Sequence, residues 1–205
     1  EAPANAGAAL QRLIKRYPRS RIRKSLRGTN WCWATIWNEA KALTEATGVI
    51  NQDASPGTPL RTLGDTNRDV LRRHPDFIVG AVVERLALLA STDISEIMRK
   101  SPSALVQEGF CDPVRLFVKQ EPHSTKKIRE GRFRLISSVS LVDQIVERML
   151  FGPQNQLEIA EWRSIPSKPG MGLSKSEQAY SIFSDVRMRH TIAPACEADI
   201  SGFDW

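Results

Sequence analysis

Three tryptophans lie within seven positions near the start of the chain, and further apolar residues continue their stripe. This spacing predicts a helix over about 31–47 that ends at Gly48. Tryptophans beside basic residues could also stack on nucleic-acid bases, but at helical spacing we favour positions in the core. The stripe consists of Trp31, Trp33, Ile36, Trp37 and Ala40.

The strongest helical pattern predicts a helix over about 76–90. Residues 51–63, which precede it, contain two prolines and a glycine and predict a turn-rich loop. The predicted buried stripe of the helix consists of Phe77, Ile78, Ala81, Val82, Leu86 and Leu89.

Capping signals predict two helix starts after this helix. Asp93 with Glu96 is a typical helix start, and Ser101 followed by proline predicts a short helix that stops at Gly109.

The pattern then changes to that of strands. Residues 114–119 read as one strand, and residues 131–136 are predicted to pair with it across a polar loop. Ser140 caps the next predicted helix, which is expected to end at Gly152. Its apolar positions are Leu141, Val142, Ile145, Val146, Met149 and Leu150.

The last part of the chain predicts one helix and one strand. Ser174 and Glu177 form a capping box for a helix over about 175–190. Residues 195–200 predict a short buried strand that carries Asp199 near its end. The inward positions of the helix are Ala179, Ile182, Phe183 and Val186.

Composition excludes several classes of protein. Hydrophobic residues make up 41% and charged residues 25% of the sequence, which is typical of a globular protein. No uninterrupted apolar run reaches the roughly 18 residues that predict a membrane span. The three cysteines, Cys32, Cys111 and Cys196, are too far apart to predict a disulfide framework or a zinc site.

The net charge of +6 comes from one segment. Residues 2–30 contain eight basic and no acidic side chains, and without them 21 basic residues would stand against 23 acidic ones. Such a segment attracts polyanions, with nucleic acid and anionic lipid as the obvious partners. A solvated linker without a fixed partner explains the composition equally well.

Two aspartates can provide ligands for a metal. Asp199 lies at the end of the predicted last strand, and Asp204 follows a turn at Gly202. Mg²⁺ prefers oxygen ligands of this kind and supports phosphoryl transfer. Taken alone, the spacing is more typical of a surface turn in which Asp204 starts a helix.

The predicted hairpin carries a group of charged side chains. If residues 131–136 form a strand, Arg132 and Arg134 point to the same side, where their guanidinium groups could bind a triphosphate. A solvated hairpin whose lysines protect a sheet edge explains the pattern at least as well. The group consists of Lys119, Glu121, Lys126, Lys127, Arg129, Arg132 and Arg134.

A loop rich in proline surrounds Gly57. Its main-chain amides could bind a nucleic-acid backbone. A plain turn is the simpler explanation. The positions that could make this contact are Ser55, Gly57 and Thr58.

Four blocks, in this order along the chain, resemble the RNA-dependent RNA polymerases of sobemoviruses and, less closely, those of poleroviruses. The resemblance covers about residues 31–205. The blocks are DPVRLFVKQEPH (112–123), GRFRLISSVSLVDQIVERMLFGPQNQLEI (131–159), IPSKPGMGLS (165–174) and EADISGFDW (197–205).

The resemblance implies a right-hand polymerase of the α+β class. Residues 1–30 are then a basic N-terminal arm and residues 31–192 the mostly helical fingers, with a fingertip hairpin, or β-ribbon, at about 114–136. Residues 193–205 begin the antiparallel palm with its first strand. The thumb and most of the palm are expected to be absent from this chain.

The resemblance also implies roles for single residues. Asp199 is the catalytic ligand of Mg²⁺, with Mn²⁺ as an alternative ion, and Asp204 contacts the ribose 2′-hydroxyl of the nucleotide. The residues implied to bind template RNA are Ser55, Gly57 and Thr58. The fingertip residues implied to bind the nucleotide are Lys119, Lys127, Arg132 and Arg134, with Glu121 in the same element.

The implied activity is RNA synthesis on an RNA template from nucleoside triphosphates. The family's Gly-Asp-Asp turn does not occur in this sequence, so we expect this piece to be inactive by itself. The alternative is a non-catalytic RNA-binding fragment that uses the basic arm and the 119–134 hairpin. A metal nuclease built on Asp199 and Asp204 ranks last, because no general base or further carboxylate cluster accompanies them.

The expected partners follow from this activity. They are template and product RNA, nucleoside triphosphates and viral replication proteins. The expected location is the host cytoplasm, in membrane-associated replication complexes. Because no membrane span is predicted, attachment to the membrane would come from a partner.

Overall fold

A computed structural model describes residues 33–46, 48–161 and 176–189. These residues are mostly helical and contain one small antiparallel sheet of two strands, as expected for the α+β class. The described residues up to Gly152 form one compact unit, the first unit, and those from Pro153 onward belong to a second unit. The predicted strand at 195–200, the basic arm and the two candidate metal-binding aspartates lie outside the described residues.

Within the described ranges, helices precede and follow a single two-stranded ribbon along the sequence. The elements are α1 (Trp33–Glu45), α2 (Asn67–Arg73), α3 (Pro75–Ser91), α4 (Ile94–Ile97), α5 (Pro102–Gln107), β1 (Arg115–Val118), α6 (Thr125–Arg129), β2 (Leu135–Ser138), α7 (Leu141–Ala160) and α8 (Ser176–Arg189). A 3₁₀ turn at Leu60–Thr62 lies between α1 and α2. No helix of the described ranges is long and apolar enough to cross a membrane.

The core of the first unit is helical. It is formed by α1, α2, α3 and the first part of α7, with two residues of the connecting loop. Burial of these apolar side chains is the main source of stability for a unit of this kind. The buried residues are Ile36, Ala40, Ile50, Leu60, Val70, Leu71, Ile78, Val79, Val82, Leu86, Leu141, Val142, Ile145, Val146 and Met149.

Helix α1 confirms the first predicted helix but not all of its stripe. Gly48 follows the helix with a φ of 83°, a left-handed conformation that glycine adopts readily. Ile36 and Ala40 are buried, whereas Trp37 remains 39% exposed, so its assignment to the core is wrong. Trp31 and the side chain of Trp33 lie outside what the structure describes.

Helix α3 confirms most of the predicted buried stripe. The stripe residues that are buried or packed against the core as expected are Ile78, Ala81, Val82, Leu86 and Leu89. Only Phe77 is misplaced, since its side chain is 57% exposed. Val79 and Arg85 are buried in its place. At about 100° per residue, Phe77 lies on the side of the helix opposite to Val79 and Leu86, and therefore points away from the core.

The capping signals are confirmed. The side chain of Asp93 accepts a hydrogen bond from the Ser95 N–H at 2.7 Å and begins α4. Ser101 begins α5 in the same way through Ala104, at 3.2 Å. Helix α2 was not predicted, because its sequence NRDVLRR has only two apolar positions.

Helix α7 is longer than predicted. It begins after Ser140 as expected, but it continues through Gly152 and Pro153 to Ala160. A proline has no N–H, so Pro153 removes the helical hydrogen bond to the Met149 carbonyl, yet the helix resumes beyond it. The predicted end at Gly152 is therefore wrong as a helix end, although the first compact unit ends there.

The ribbon confirms the first strand and corrects the second. Arg115 of β1 pairs with Ser138, and Val118 pairs with Leu135, so β2 begins four residues later than the predicted 131–136 strand. Part of the polar loop folds as helix α6, and Gly131, with a φ of 65°, lies just after it. The chain then needs residues 131–134 to return to the ribbon.

Helix α8 confirms the last predicted helix, while Ser174 lies outside the described residues. Ala179 and Ile182 are half-buried as expected. Phe183 is 61% and Val186 44% exposed, so their inward assignment is wrong.

We expect Ile78→Ala to lower the free energy of unfolding by about 2–5 kcal/mol, because it leaves a cavity at a fully buried position. Phe77→Ala is the matched control, since it removes a larger side chain from the neighbouring, exposed position. We expect an effect of less than about 1 kcal/mol there. Urea unfolding followed by circular dichroism would measure both, and equal effects would contradict the described orientation of α3.

Candidate nucleotide and RNA interface

Three charged side chains meet at the end of the ribbon. Lys119 follows β1 and Arg134 precedes β2, and the Lys119 N–H donates to the Arg134 carbonyl at 2.8 Å, which extends the strand pairing by one step. The Glu121 carboxylate lies between the two cations, 2.7 Å from the Lys119 Nζ and 3.6 Å from the Arg134 Nη1. The structure thus brings together two of the predicted nucleotide-binding residues.

The position of Glu121 has an electrostatic consequence. The hydrogen bond from Lys119, with the positive charge of Arg134 nearby, holds the pKa of Glu121 below its ordinary value. The carboxylate is therefore ionised at neutral pH and orders both cations. An incoming phosphate would compete with it for the same two side chains.

The other predicted nucleotide-binding residues lie on and after α6. Ser124 caps this helix by accepting a hydrogen bond from the Lys127 N–H at 3.4 Å, and the Lys127 side chain is exposed. Arg132 is exposed and forms an ion pair with Glu130 at 2.6 Å. Neither Arg132 nor Arg134 belongs to a strand, so the argument that strand alternation points them to one side is wrong.

An aromatic contact supports the connection between β1 and α6. The rings of His123 and Phe133 meet edge to face, with centroids 5.2 Å apart. The Nε2 atom of His123 lies 3.4 Å from the Lys119 carbonyl oxygen. The contact joins the segment after β1 to the segment before β2, next to Lys119 and Arg134 in sequence.

The loop at 55–59 packs against the start of α7. The Leu141 N–H donates to the Pro56 carbonyl at 2.9 Å, and Pro56 and Gly57 are buried. A Cβ atom added to Gly57 would lie 2.8 Å from both the Ser140 Cα and the Val139 carbonyl oxygen. The close approach that this glycine permits is therefore to the protein's own backbone, while Ser55 and Thr58 remain partly accessible.

A groove of about 400 Å³ lies between this loop and the ribbon. Ser55 borders it on the loop side, and Phe117 and Ile136, which are paired across the strands, border it on the ribbon side. Ser137, Ser138, Gln144 and Arg148 add polar groups, and the Glu147 carboxylate adds a negative charge. The groove thus combines an aromatic surface with hydrogen-bonding side chains, which suits an unpaired nucleotide chain.

A buried polar ring below the ribbon was not predicted from the sequence. Arg85, which is 9% exposed, donates to the Asp143 carboxylate and to the Asp112 Oδ1 at 3.0 Å. The Ser140 hydroxyl donates to the Asp112 Oδ2 at 2.5 Å and accepts from the Asp143 N–H at 3.2 Å. The Asp112 N–H donates to the Asp143 Oδ2 at 2.8 Å.

The ring could have been suspected from one feature of the sequence. Arg85 follows Val82 at helical spacing, on the face of α3 that enters the core, and a cation at such a position requires a buried acidic partner. Burial raises the pKa of Asp143, although the Asp112 N–H and the charge of Arg85 act in the opposite direction. The partners themselves are distant in sequence and could not be chosen without the structure.

The predicted metal site is not part of the described residues. Asp199 and Asp204 both lie beyond them. In the ranges that the structure does describe, no group of three or more His, Cys, Asp or Glu residues is arranged to hold a metal ion. Binding of Mg²⁺ or Mn²⁺ by Asp199 therefore stays a prediction.

Comparison with known proteins decides the family. A family model described as viral RNA-directed RNA polymerase matches residues 1–205. The chain belongs to this family. The resemblance inferred from the sequence blocks is confirmed, and with it the assignment to a polymerase of the sobemovirus type.

Relatives cover nearly the whole chain. The replicase polyprotein P2AB of Southern bean mosaic virus is 57% identical over 203 residues, which are 99% of this chain and 21% of the relative. The P2AB polyprotein of Cocksfoot mottle virus is 54% identical over all of this chain and 22% of its own length. The RNA-directed RNA polymerase of Mushroom bacilliform virus is 45% identical over 76% of this chain and 37% of its own length. The chain therefore spans about a fifth of the polyproteins that it matches.

We expect Gly57→Ala to destabilise the first unit by about 1–3 kcal/mol, because it adds a steric clash to backbone strain at a φ of 74°. Gly48→Ala is the matched control, since its φ is 83° but no atom lies within 4 Å of the added Cβ. The shift of the urea midpoint should be larger for Gly57. A shift no larger than that of the control would contradict the close contact with Ser140.

Proposed function

We propose that this chain is the fingers portion, with the start of the palm, of an RNA-directed RNA polymerase that replicates the genome of a plus-strand RNA plant virus. The family match over residues 1–205 is the observation that carries this proposal. In the complete polymerase, the 3′-hydroxyl of the growing RNA would attack the α-phosphorus of a nucleoside triphosphate, and pyrophosphate would leave.

The charged group at the ribbon supports a role in binding the nucleotide. Lys119 and Arg134 are already held together, and Lys127 and Arg132 are exposed nearby in sequence. Guanidinium and ammonium groups positioned in advance stabilise the negative charge of phosphates without reorganisation. We assign these four side chains to the triphosphate and Asp204 to the ribose 2′-hydroxyl.

The groove beside the 55–59 loop supports a path for template RNA. Ser55 borders it directly, whereas Gly57 and Thr58 set the course of the loop. Phe117, over whose ring the Arg115 guanidinium lies at 5.4 Å, borders the groove. Ser138, on the same side of the ribbon as Ile136, can bind phosphate or ribose oxygens. We therefore assign Ser55, Gly57 and Thr58 to the template side of the interface.

Asp199 is the residue that we assign to the catalytic ion. A carboxylate is the hard oxygen ligand that Mg²⁺ prefers, and Mn²⁺ accepts the same ligands. When bound, such an ion would polarise the reacting phosphate and lower the pKa of the attacking hydroxyl.

Asp199→Ala in the full-length polymerase should abolish nucleotide incorporation while leaving the melting temperature unchanged, because a metal ligand is lost. Asp53→Ala, which removes an exposed partner of Arg68, is the control and should retain activity. Template-dependent incorporation of labelled nucleotide measures both. Near-normal incorporation by the Asp199 variant would refute the assignment.

Arg134→Ala in the full-length polymerase should lower kcat/KM for nucleoside triphosphates by about a hundredfold, because a preorganised phosphate contact is lost. Arg68→Ala is matched in exposure, at 62% against 61%, and in having an acidic partner. We expect Arg68→Ala to lower kcat/KM by about twofold or less. Steady-state kinetics at varied nucleotide concentration give the comparison, and equal effects of the two variants would rule out a special role for Arg134.

The rival function, a non-catalytic RNA-binding fragment, uses the same surfaces. Both functions predict RNA affinity that falls with salt, with a log–log slope of about 0.7 per neutralised phosphate for single strands. Template-dependent incorporation by the full-length protein separates them. The family match favours the polymerase.

The proposed partners are template and product RNA, nucleoside triphosphates and viral replication proteins. We place the protein in the host cytoplasm, in membrane-associated replication complexes. Co-sedimentation of the polymerase with membranes from infected cells, with and without the other viral proteins, would test this placement.

A further inference from the structure

Both strands of the ribbon start or end next to the buried ring around Arg85. Asp112 lies three residues before β1, and Ser140 lies two residues after β2. Each of these residues is held by two or more hydrogen bonds inside the ring. The two ends of the ribbon are therefore fixed to each other and to α3 at one place.

The 55–59 loop is fixed at the same place. Its Pro56 carbonyl accepts from the Leu141 N–H, and Gly57 touches the backbone of Ser140. A displacement of Ser140 would move the end of β2 and the loop together. The groove between loop and ribbon would change its width accordingly.

We propose that Arg85, Asp112, Asp143 and Ser140 are positioning residues that set the template loop and the nucleotide-binding ribbon relative to each other. The inference rests on the proposed function and deepens it. The ring itself would touch neither RNA nor nucleotide. It acts through the two elements that do.

Physical chemistry favours a positioning role over simple stabilisation. Apolar contacts are non-directional, whereas the forked guanidinium of Arg85 binds two carboxylates in fixed directions. A buried ion pair adds little net stability compared with apolar side chains, but it penalises any arrangement that leaves a charge unpaired.

The ribbon needs such a support. Each strand has only four residues, and an isolated two-stranded hairpin is marginally stable in water. Its orientation is therefore decided by how its ends are held. A small rotation of the ribbon at the ring would therefore displace the cations at its far end by a larger distance.

The test compares two substitutions at Asp112 in the full-length polymerase. Asp112→Ala opens the ring. Asp112→Asn keeps it closed, because the amide oxygen still accepts from Arg85 and the amide nitrogen can donate to the Ser140 hydroxyl. Glu108→Ala is the control, since it removes an ion pair with Lys100 that lies outside the ring and the ribbon.

We expect Asp112→Ala to raise both the KM for nucleotide and the Kd for template RNA by about tenfold or more, since small displacements of binding groups have effects of this size. For Asp112→Asn and Glu108→Ala, both the KM and the Kd should stay close to the values of the unsubstituted enzyme. Amide hydrogen exchange at 115–118 and 135–138 should become faster only in Asp112→Ala. Should that variant fail to fold, Ser140→Ala, which keeps both ion pairs, takes its place with the same expectations.

Other outcomes would overturn the inference. A reduced active fraction with both constants unchanged would show that the ring only stabilises the fold. A change in one constant alone would show that loop and ribbon are not coupled, and an Asn variant as impaired as the Ala variant would exclude ring geometry as the cause. If the unsubstituted full-length protein incorporates no nucleotide, the proposed polymerase function fails instead, and the exchange measurement still decides whether the ring holds the ribbon.

Discussion

A buried guanidinium can be accommodated in only a few ways. Arg85 lies among the apolar side chains of α3, where an unpaired charge would cost several kcal/mol. The carboxylates of Asp112 and Asp143 meet this requirement, although they are separated by the whole ribbon in sequence. The pairing of this one charge therefore joins α3 to the residue before β1 and to the first turn of α7.

The candidate site is built outward from this constraint. The ribbon carries its charged residues at the end remote from the ring, and the 55–59 loop is packed onto Ser140 and Leu141. Between loop and ribbon lies the groove. In the proposed function, binding of nucleotide and of template would thus depend on two elements that meet at Ser140 and Leu141.

The sequence was sufficient for features that depend on local interactions. Helices α1 and α3 follow from apolar spacing, and the starts of α4, α5 and α7 follow from single capping residues. Prediction from the sequence was wrong where contacts between residues distant in sequence decide the ends of strands and helices. Alternating residues at 131–136 read as a strand, but pairing with β1 begins only at Leu135, and α7 continues through Gly152 and Pro153, which locally favour an end.

The candidate site could be predicted from the sequence about as far as the fold could. The order of the sequence blocks was sufficient for the family. Lys119 and Arg134 lie together on Glu121, while their binding of a nucleotide stays a prediction. The role of Gly57 was only half foreseen, because its close contact is with Ser140. Arg85 was overlooked, since spacing alone cannot tell which acidic residues will reach a buried cation.

The alternation of side chains along the ribbon has a practical consequence. Phe117 and Ile136 face the groove, so Leu116, Val118 and Leu135 lie on the other face, where each is more than a third exposed. In the described part of the chain, this apolar face borders strands whose outer edges have no neighbour. We therefore expect a second copy of this region to pair with an open strand edge at high concentration.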